Sequence, residues 1–231
     1  MSAGVDLELA TFRKDIKRNS TFLAAERRIG NPASARSRPH SETLLSAFVL
    51  LTCGRFEGFL QGSFYQAAVD LRDRIGKAND PRIPNHKEFH WNNLDGFLSW
   101  VARARIAKTD KIPRIEAFSA AISTGDIFPD SFKNTESNPN FDTLDRMFGR
   151  FGVKGPLAKL AANYLDNRGR HFAGTLIKAT LNEFVRKRHL AAHTGRIPGL
   201  TRMDADDYNV FVDGLAESIC KTLNAHTASV K

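Results

Sequence analysis

The segment LLSAFVLLTCGRFEGFL, residues 44–60, constrains this chain more than any other stretch. Its apolar residues fall on nearly every side of a 3.6-residue repeat, so as a helix it belongs in the centre of a fold, wrapped by other elements. The rest of the chain supplies helices for that purpose. No run alternates apolar and polar residues over the length of a strand, and no internal repeat or low-complexity tract appears beyond an Arg/Ser-rich loop. The expected fold is therefore all-α, a helical bundle with additional helices. At 231 residues it is expected to form a single domain over 1–231.

Four units are expected along the chain. Residues 1–40 contribute an amphipathic helix over about 6–29, with Leu7, Phe12, Ile16, Phe22 and Leu23 among basic residues. Gly30, Asn31 and Pro32 stop it, and the Ser/Arg/Pro-rich 33–40 reads as a loop. The buried helix occupies 41–75. Within it Arg55 and Glu57 stand where the pattern says core, and a charge placed there needs a partner or a wet pocket. The middle helices span 87–150. One runs over about 88–108 with Leu94, Phe97, Leu98 and Val101 on one face, a shorter one starts at Pro113, and a third covers 141–148. The last unit, 156–227, holds a short helix over 156–165, a long one over 172–193 ended by Thr194, Gly195 and Pro198, and a final one over 205–223.

Charge narrows the function. Lys and Arg number 34 against 25 Asp and Glu, a formal net charge of +9, which attracts polyanions because exposed cations displace counterions from a phosphate backbone. Apolar residues at 42% and charged ones at 26% are those of a soluble globular chain, which argues against disorder. Cys53 and Cys220 give neither a disulfide framework nor a zinc pair, so a reducing compartment is expected. No h-region follows Met1, and the longest apolar run, Leu44 to Cys53, falls short of the roughly 20 residues of a membrane span. A cytoplasmic location without membrane contact is expected.

The chemistry concentrates near the end of the long C-terminal helix. Ile177, Leu181, Phe184 and Ala191 mark its core-facing stripe, and Arg188 occupies that same stripe. An arginine there is costly unless its guanidinium meets an anion or a polar cavity. His189 and His193, four apart, share a face beside it in the run RKRHLAAHTG. A histidine can take the proton of a ribose 2'-hydroxyl or give one to the leaving 5'-oxygen, and an arginine offers a planar fork to a phosphate gaining charge. Residues five apart point about 140 degrees from each other on a straight helix. For Arg188 and His193 to act on one phosphate, the arginine must wrap around, the helix must loosen near Gly195, or two protomers must share the site.

Arg188 to His193 match the R-x4-H signature of the HEPN superfamily, with a polar residue directly after the arginine. The segments TCGRFEGFL and SNPN, and the long helix ending in R-polar-x-x-A-H, extend the match. The chain resembles the prokaryotic HEPN nuclease branch over about three quarters of its length. The resemblance implies an HEPN-like bundle that dimerises with its two motifs facing each other and cuts single-stranded RNA without metal. It implies a role in toxin-antitoxin systems, phage defence or RNA processing, and an antitoxin or other defence-system protein as a partner. His189 stands where Asn is more usual, and Gly195 stands where one toxin subgroup carries a tyrosine that its partner modifies.

The expected function is thus a metal-independent endoribonuclease with no cofactor. Arg188, His193 and His189 form its catalytic set, Arg55 and Glu57 support it, and Arg186, Lys187 and Arg196 bind RNA. The rival is a non-catalytic HEPN-like module that binds RNA or protein. A purely structural dimerisation domain would leave Arg188 on the apolar stripe unexplained. Arg188 and His193 also suit the last carbonyls of a helix, where cations complement the dipole. Glu57 could hold Arg188 or His193 in place. His86 and His90 have the spacing of a zinc pair, but the run HKEFH lacks the glutamate a zincin needs and reads as a solvated helix start. Trp91 and Trp100 read as core or interface aromatics. The basic runs 13–18, 103–111 and 186–188 are solvated faces that could line an RNA path.

Overall fold

The computed structural model describes residues 3–29, Ser34, 37–103, 108–133, Thr135 and 138–230. Among them the chain is all-α, as its sequence pattern requires: eight α-helices, one 3-10 turn and no strand. The helices are α1 (Ala3–Glu26), α2 (Arg38–Ile75), α3 (His86–Arg103), α4 (Lys108–Thr124), α5 (Phe141–Arg150), α6 (Pro156–Asn163), α7 (Gly174–Thr194) and α8 (Arg202–Ser229). The 3-10 turn, Pro129–Phe132, precedes α5.

The apolar segment forms the middle of α2, a 38-residue helix packed against α1, α7 and α8. Leu45, Phe48, Val49, Cys53, Phe56, Leu60 and Phe64 are buried along it. Each fully buried leucine or phenylalanine contributes about 1.5–3 kcal/mol relative to exposure, so this helix anchors the bundle. Its length and composition would also suit a membrane span; in this fold half of the most apolar window is buried within the protein. The helix starts three residues before Ser41, because Pro39 falls in the first turn, where a missing N–H costs nothing. The expected stop of the first helix at 30–32 lies outside the described residues.

Burial of α2 is incomplete, and this corrects the sequence expectation for Arg55. Leu51, Gly54, Arg55 and Gly58 are exposed, forming an arc that no other helix covers. The Arg55 side chain is 56% exposed and meets Asp15 of α1 at 3.4 Å. Pro113, expected to open α4, lies inside it, where the cost is confined to one intrahelical bond near the helix start. Phe97 stacks on Phe118, and Phe128 meets both rings edge-on, where α3 and α4 meet the chain before the 3-10 turn. Trp91 is 69% exposed and is not a core residue, because α3 turns Phe89, Asn93 and Phe97 inward; the Trp100 side chain lies outside the described set.

At the other end of the bundle, α8 carries a capping box in which Thr201 Oγ1 accepts from Asp204 N and the Asp204 carboxylate accepts from Thr201 N. Near its C-terminus His226 is buried against the Phe151 ring. Burial pushes this imidazole down to about 4, and the nearby Lys159 charge adds to the effect. The unfolded chain protonates His226 near its ordinary value of 6.5, while the folded chain resists protonation until about 4. Stability is therefore lost as pH falls from 6.5 to 4, by up to about 3 kcal/mol. His226→Leu should flatten denaturant-unfolding stability across that window. Parallel pH profiles for the wild type and the variant would contradict the assignment.

Candidate functional site

α7 runs in regular turns from Gly174 to Thr194, with Ile177, Leu181, Phe184, Val185 and Ala191 buried. It ends at Gly195, whose φ of 74 degrees is the left-handed conformation open to glycine, and whose N–H returns to Ala191 O at 2.9 Å. The helix therefore does not loosen before its end. Arg188 is half-buried on the side facing α2. It lines a cleft of about 330 Å3 with Leu50, Leu51, Gly54, Arg55 and Ala192, so two guanidiniums from two helices share one opening. That answers the cost of an arginine on the apolar stripe: the residue borders an open cleft and is only half-buried.

His189 joins this group directly. Arg188 Nη1 lies 3.4 Å from His189 Nδ1. A guanidinium can only donate, so in this contact Nδ1 is the acceptor. His193 is exposed one turn further on, on the His189 face of α7, and does not line the Arg188 cleft. One chain thus brings together Arg188, His189 and Arg55, and leaves His193 beside them at the helix end.

Glu57 is half-buried and accepts from Thr135 Oγ1 at 2.7 Å, and Thr135 Oγ1 accepts from Gln61 Nε2 at 2.9 Å. Its hydrogen bond fastens the segment before α5 to α2, and no bond to Arg188 or His193 is seen. Both Glu57 and Arg188 act on the thiol beneath the cleft. Burial pushes Cys53 up to about 12, Arg188 opposes the shift and Glu57 adds to it. The thiol stays protonated and is no nucleophile. Arg186 grips Glu183 through two 2.7 Å bonds, and Lys187 stands 3.8 Å from the same carboxylate. Arg196 is exposed just past the helix end.

Several residues that sequence reasoning passed over hold this geometry. Asn140 caps α5 by accepting from Thr143 N, and Asn182 of α7 accepts from Phe141 N at 3.0 Å, tying α5 to the motif helix. Beyond Gly195 the connector is fastened to the first half of α2. Ser46 Oγ accepts from Ile197 N at 2.7 Å and donates to Glu42 O at 2.6 Å, while Glu42 Oε1 accepts from Gly199 N at 2.9 Å. The Gly199 N–H, with Arg38 also bonded to it, holds the Glu42 carboxyl below the usual range. The Gly54 and Gly58 spacing was a visible signal for the open arc. The long-range bonds had none.

His86 and His90 are half-buried on α3, and among the described residues no three His, Cys, Asp or Glu side chains converge as metal ligands would. Cys53 and Cys220 are free and buried.

Comparison with known proteins gives one match. Residues 11–225 fit the family model described as RiboL-PSP-HEPN. No curated protein and no solved structure matches the chain.

The connector bonds predict a measurable effect. Ser46→Ala strands the buried Ile197 N–H and should cost about 1–3 kcal/mol in chemical denaturation. Amide exchange at Ile197 and Gly199 should quicken, while Ser46→Thr retains protection. Unchanged exchange in Ser46→Ala would show that the clasp does not hold the end of α7.

Proposed function

The chain belongs to the RiboL-PSP-HEPN family, a family of all-helical HEPN domains, and from that premise we propose that it is a metal-independent endoribonuclease acting on single-stranded RNA. Membership makes it a nuclease or RNA-related module. The observation that carries the finer reading is the Arg188 guanidinium, set in a cleft beside Arg55 and bonded to the His189 ring. A cleft with two permanent cations and an imidazole at its edge suits a phosphodiester and no neutral substrate of similar size.

The reaction is an in-line displacement. The ribose 2'-oxygen bonds to phosphorus as its proton passes to a base, the bond from phosphorus to the 5'-oxygen breaks, and that oxygen takes a proton from an acid. The products are a 2',3'-cyclic phosphate and a 5'-hydroxyl. His193 is the main acid/base group, exposed and free to reach a bound strand. Arg188 stabilises the charge growing on the phosphorane oxygens, and His189, held by Arg188, completes the acid/base pair or orients it. Arg55 adds a second cation, Glu57 secures the segment flanking the site, and Arg186, Lys187 and Arg196 continue the cationic surface along the helix end.

His193 lies outside the Arg188 cleft of its own chain, so a two-fold partner completes the site. A symmetric dimer sets the same surface opposite itself and doubles every cation and imidazole in the cleft. The partly exposed Leu50 and Leu51, which continue into an apolar groove with Ala47 and Ala191, give such a partner a surface to cover. The role follows the resemblance: a toxin or phage-defence effector held in check by an antitoxin or another defence protein. The same position of His193 also favours a second reading, an HEPN-like module that binds RNA or protein without cutting it.

His193→Ala should abolish RNA cleavage with melting nearly unchanged, and wild-type activity should persist in EDTA. A wild type that binds RNA without cutting it favours the second reading, while full cleavage by His193→Ala would remove His193 from the acid/base role. Mixed His193→Ala and Arg188→Ala protomers should regain activity where a heterodimer rebuilds one intact site. A light-scattering monomer that cleaves at full rate would refute the composite site.

A further inference from the structure

The open arc of α2 lies between two walls. One wall is α7 with Arg188. The other is α1, which runs antiparallel to α2: Asn19 Nδ2 reaches Thr52 Oγ1 at 3.5 Å, Asp15 reaches Arg55, and the Glu8 carboxylate covers Gly62. Between the walls the floor includes Gly54 and Gly58, above which an added Cβ would meet nothing within 4 Å. Glycine at these two positions lets a bulky chain approach the helix backbone.

The α1 wall carries a shared carboxylate. Asp15 holds Arg18 Nη1 at 3.4 Å on one oxygen and Arg55 Nη1 at 3.4 Å on the other. Two guanidiniums thus divide one negative charge, and both remain well exposed, at 69% for Arg18 and 56% for Arg55. At this point of the rim the two guanidiniums outweigh the one carboxylate they share. Long, exposed ion pairs of this kind hold little energy in water, so an incoming phosphate can join them at small cost. Arg13, on the same helix, is committed elsewhere, to Asp213 at 2.7 Å and Glu217 at 2.6 Å.

We propose that Arg18, spaced beside Arg55 by Asp15, forms a second phosphate-binding subsite. An RNA strand whose scissile phosphate sits at Arg188 crosses α2 over Gly54 and Gly58 and lays a neighbouring phosphate on the Arg18–Arg55 pair. The proposal rests on the ribonuclease reading. It adds the direction of the strand, across the bundle toward α1, and assigns a binding role to a residue remote from the R-x4-H run.

The test measures binding of a fluorescein-labelled uridine dodecamer to the full-length His193→Ala protein, by anisotropy across a potassium chloride series. Adding Arg18→Ala should weaken binding and reduce the slope of log K against log salt by about 0.7, the share of one single-strand phosphate. Adding Gly58→Leu should weaken binding by filling the floor. Its melting temperature should not fall, since leucine favours a helix more than glycine does. Arg82→Ala removes the same charge from a side chain paired with Asp80 and should leave the slope unchanged. An unaltered slope in Arg18→Ala, or an equal loss in Arg82→Ala, overturns the subsite. Wild-type cleavage of the same RNA would then show that the ribonuclease reading survives. A wild type that neither binds nor cuts the strand overturns both.

Discussion

A helix that is apolar on almost every side can be buried only as far as its neighbours reach. α1, α7, α8 and the 3-10 turn pack against α2, and they leave one arc uncovered between α1 and α7. The rest of the molecule depends on that arrangement. The fully buried phenylalanines of α2 fix the positions of α1 and α7, and those positions define a groove whose floor is glycine and whose rims bear arginines. The forces that assemble the core thus leave a polar opening along its central helix.

The groove resolves what would otherwise be a costly placement. Arg188 stands in register with the core residues of α7, and a buried unpaired guanidinium would be strongly destabilising. Because α2 is open opposite it, Arg188 borders a cleft and its Nη1 meets the His189 ring. α7 stops in a fixed place directly after His193 and Thr194. That stop is secured by the left-handed Gly195 and by the Ser46 and Glu42 bonds to the connector. The half of α2 nearest its N-terminus holds the end of α7, and the next turns face its arginine.

Much of this was legible in the sequence. The all-α class, the central position of α2, the motif on α7 and the helix ends at glycine all follow from local periodicity and local backbone preference, which the sequence displays directly. Arg55 was misread as a core charge because periodicity shows which residues are apolar but not which arc of a helix its neighbours leave bare. The partner of Glu57 was equally hidden. Thr135 is 78 positions away, and only the path of the segment before α5 brings it within 2.7 Å. Pro113 was read as the start of α4 and residues 38–40 as part of a loop, yet the first turns of a helix tolerate proline, and α2 already begins at Arg38. The Thr201 to Asp204 capping box was visible and simply passed over.

The central claim is that this groove cuts RNA by attack of the neighbouring 2'-hydroxyl, with protein side chains alone moving the protons. A synthetic RNA with one preferred cleavage position, compared with the same strand carrying a single 2'-deoxy nucleotide there, tests the claim most directly. Mass spectrometry of the products should show a 2',3'-cyclic phosphate from the first strand and no cut at that position in the second. Cleavage of the 2'-deoxy position at an undiminished rate, or products that carry a 5'-phosphate, would contradict it.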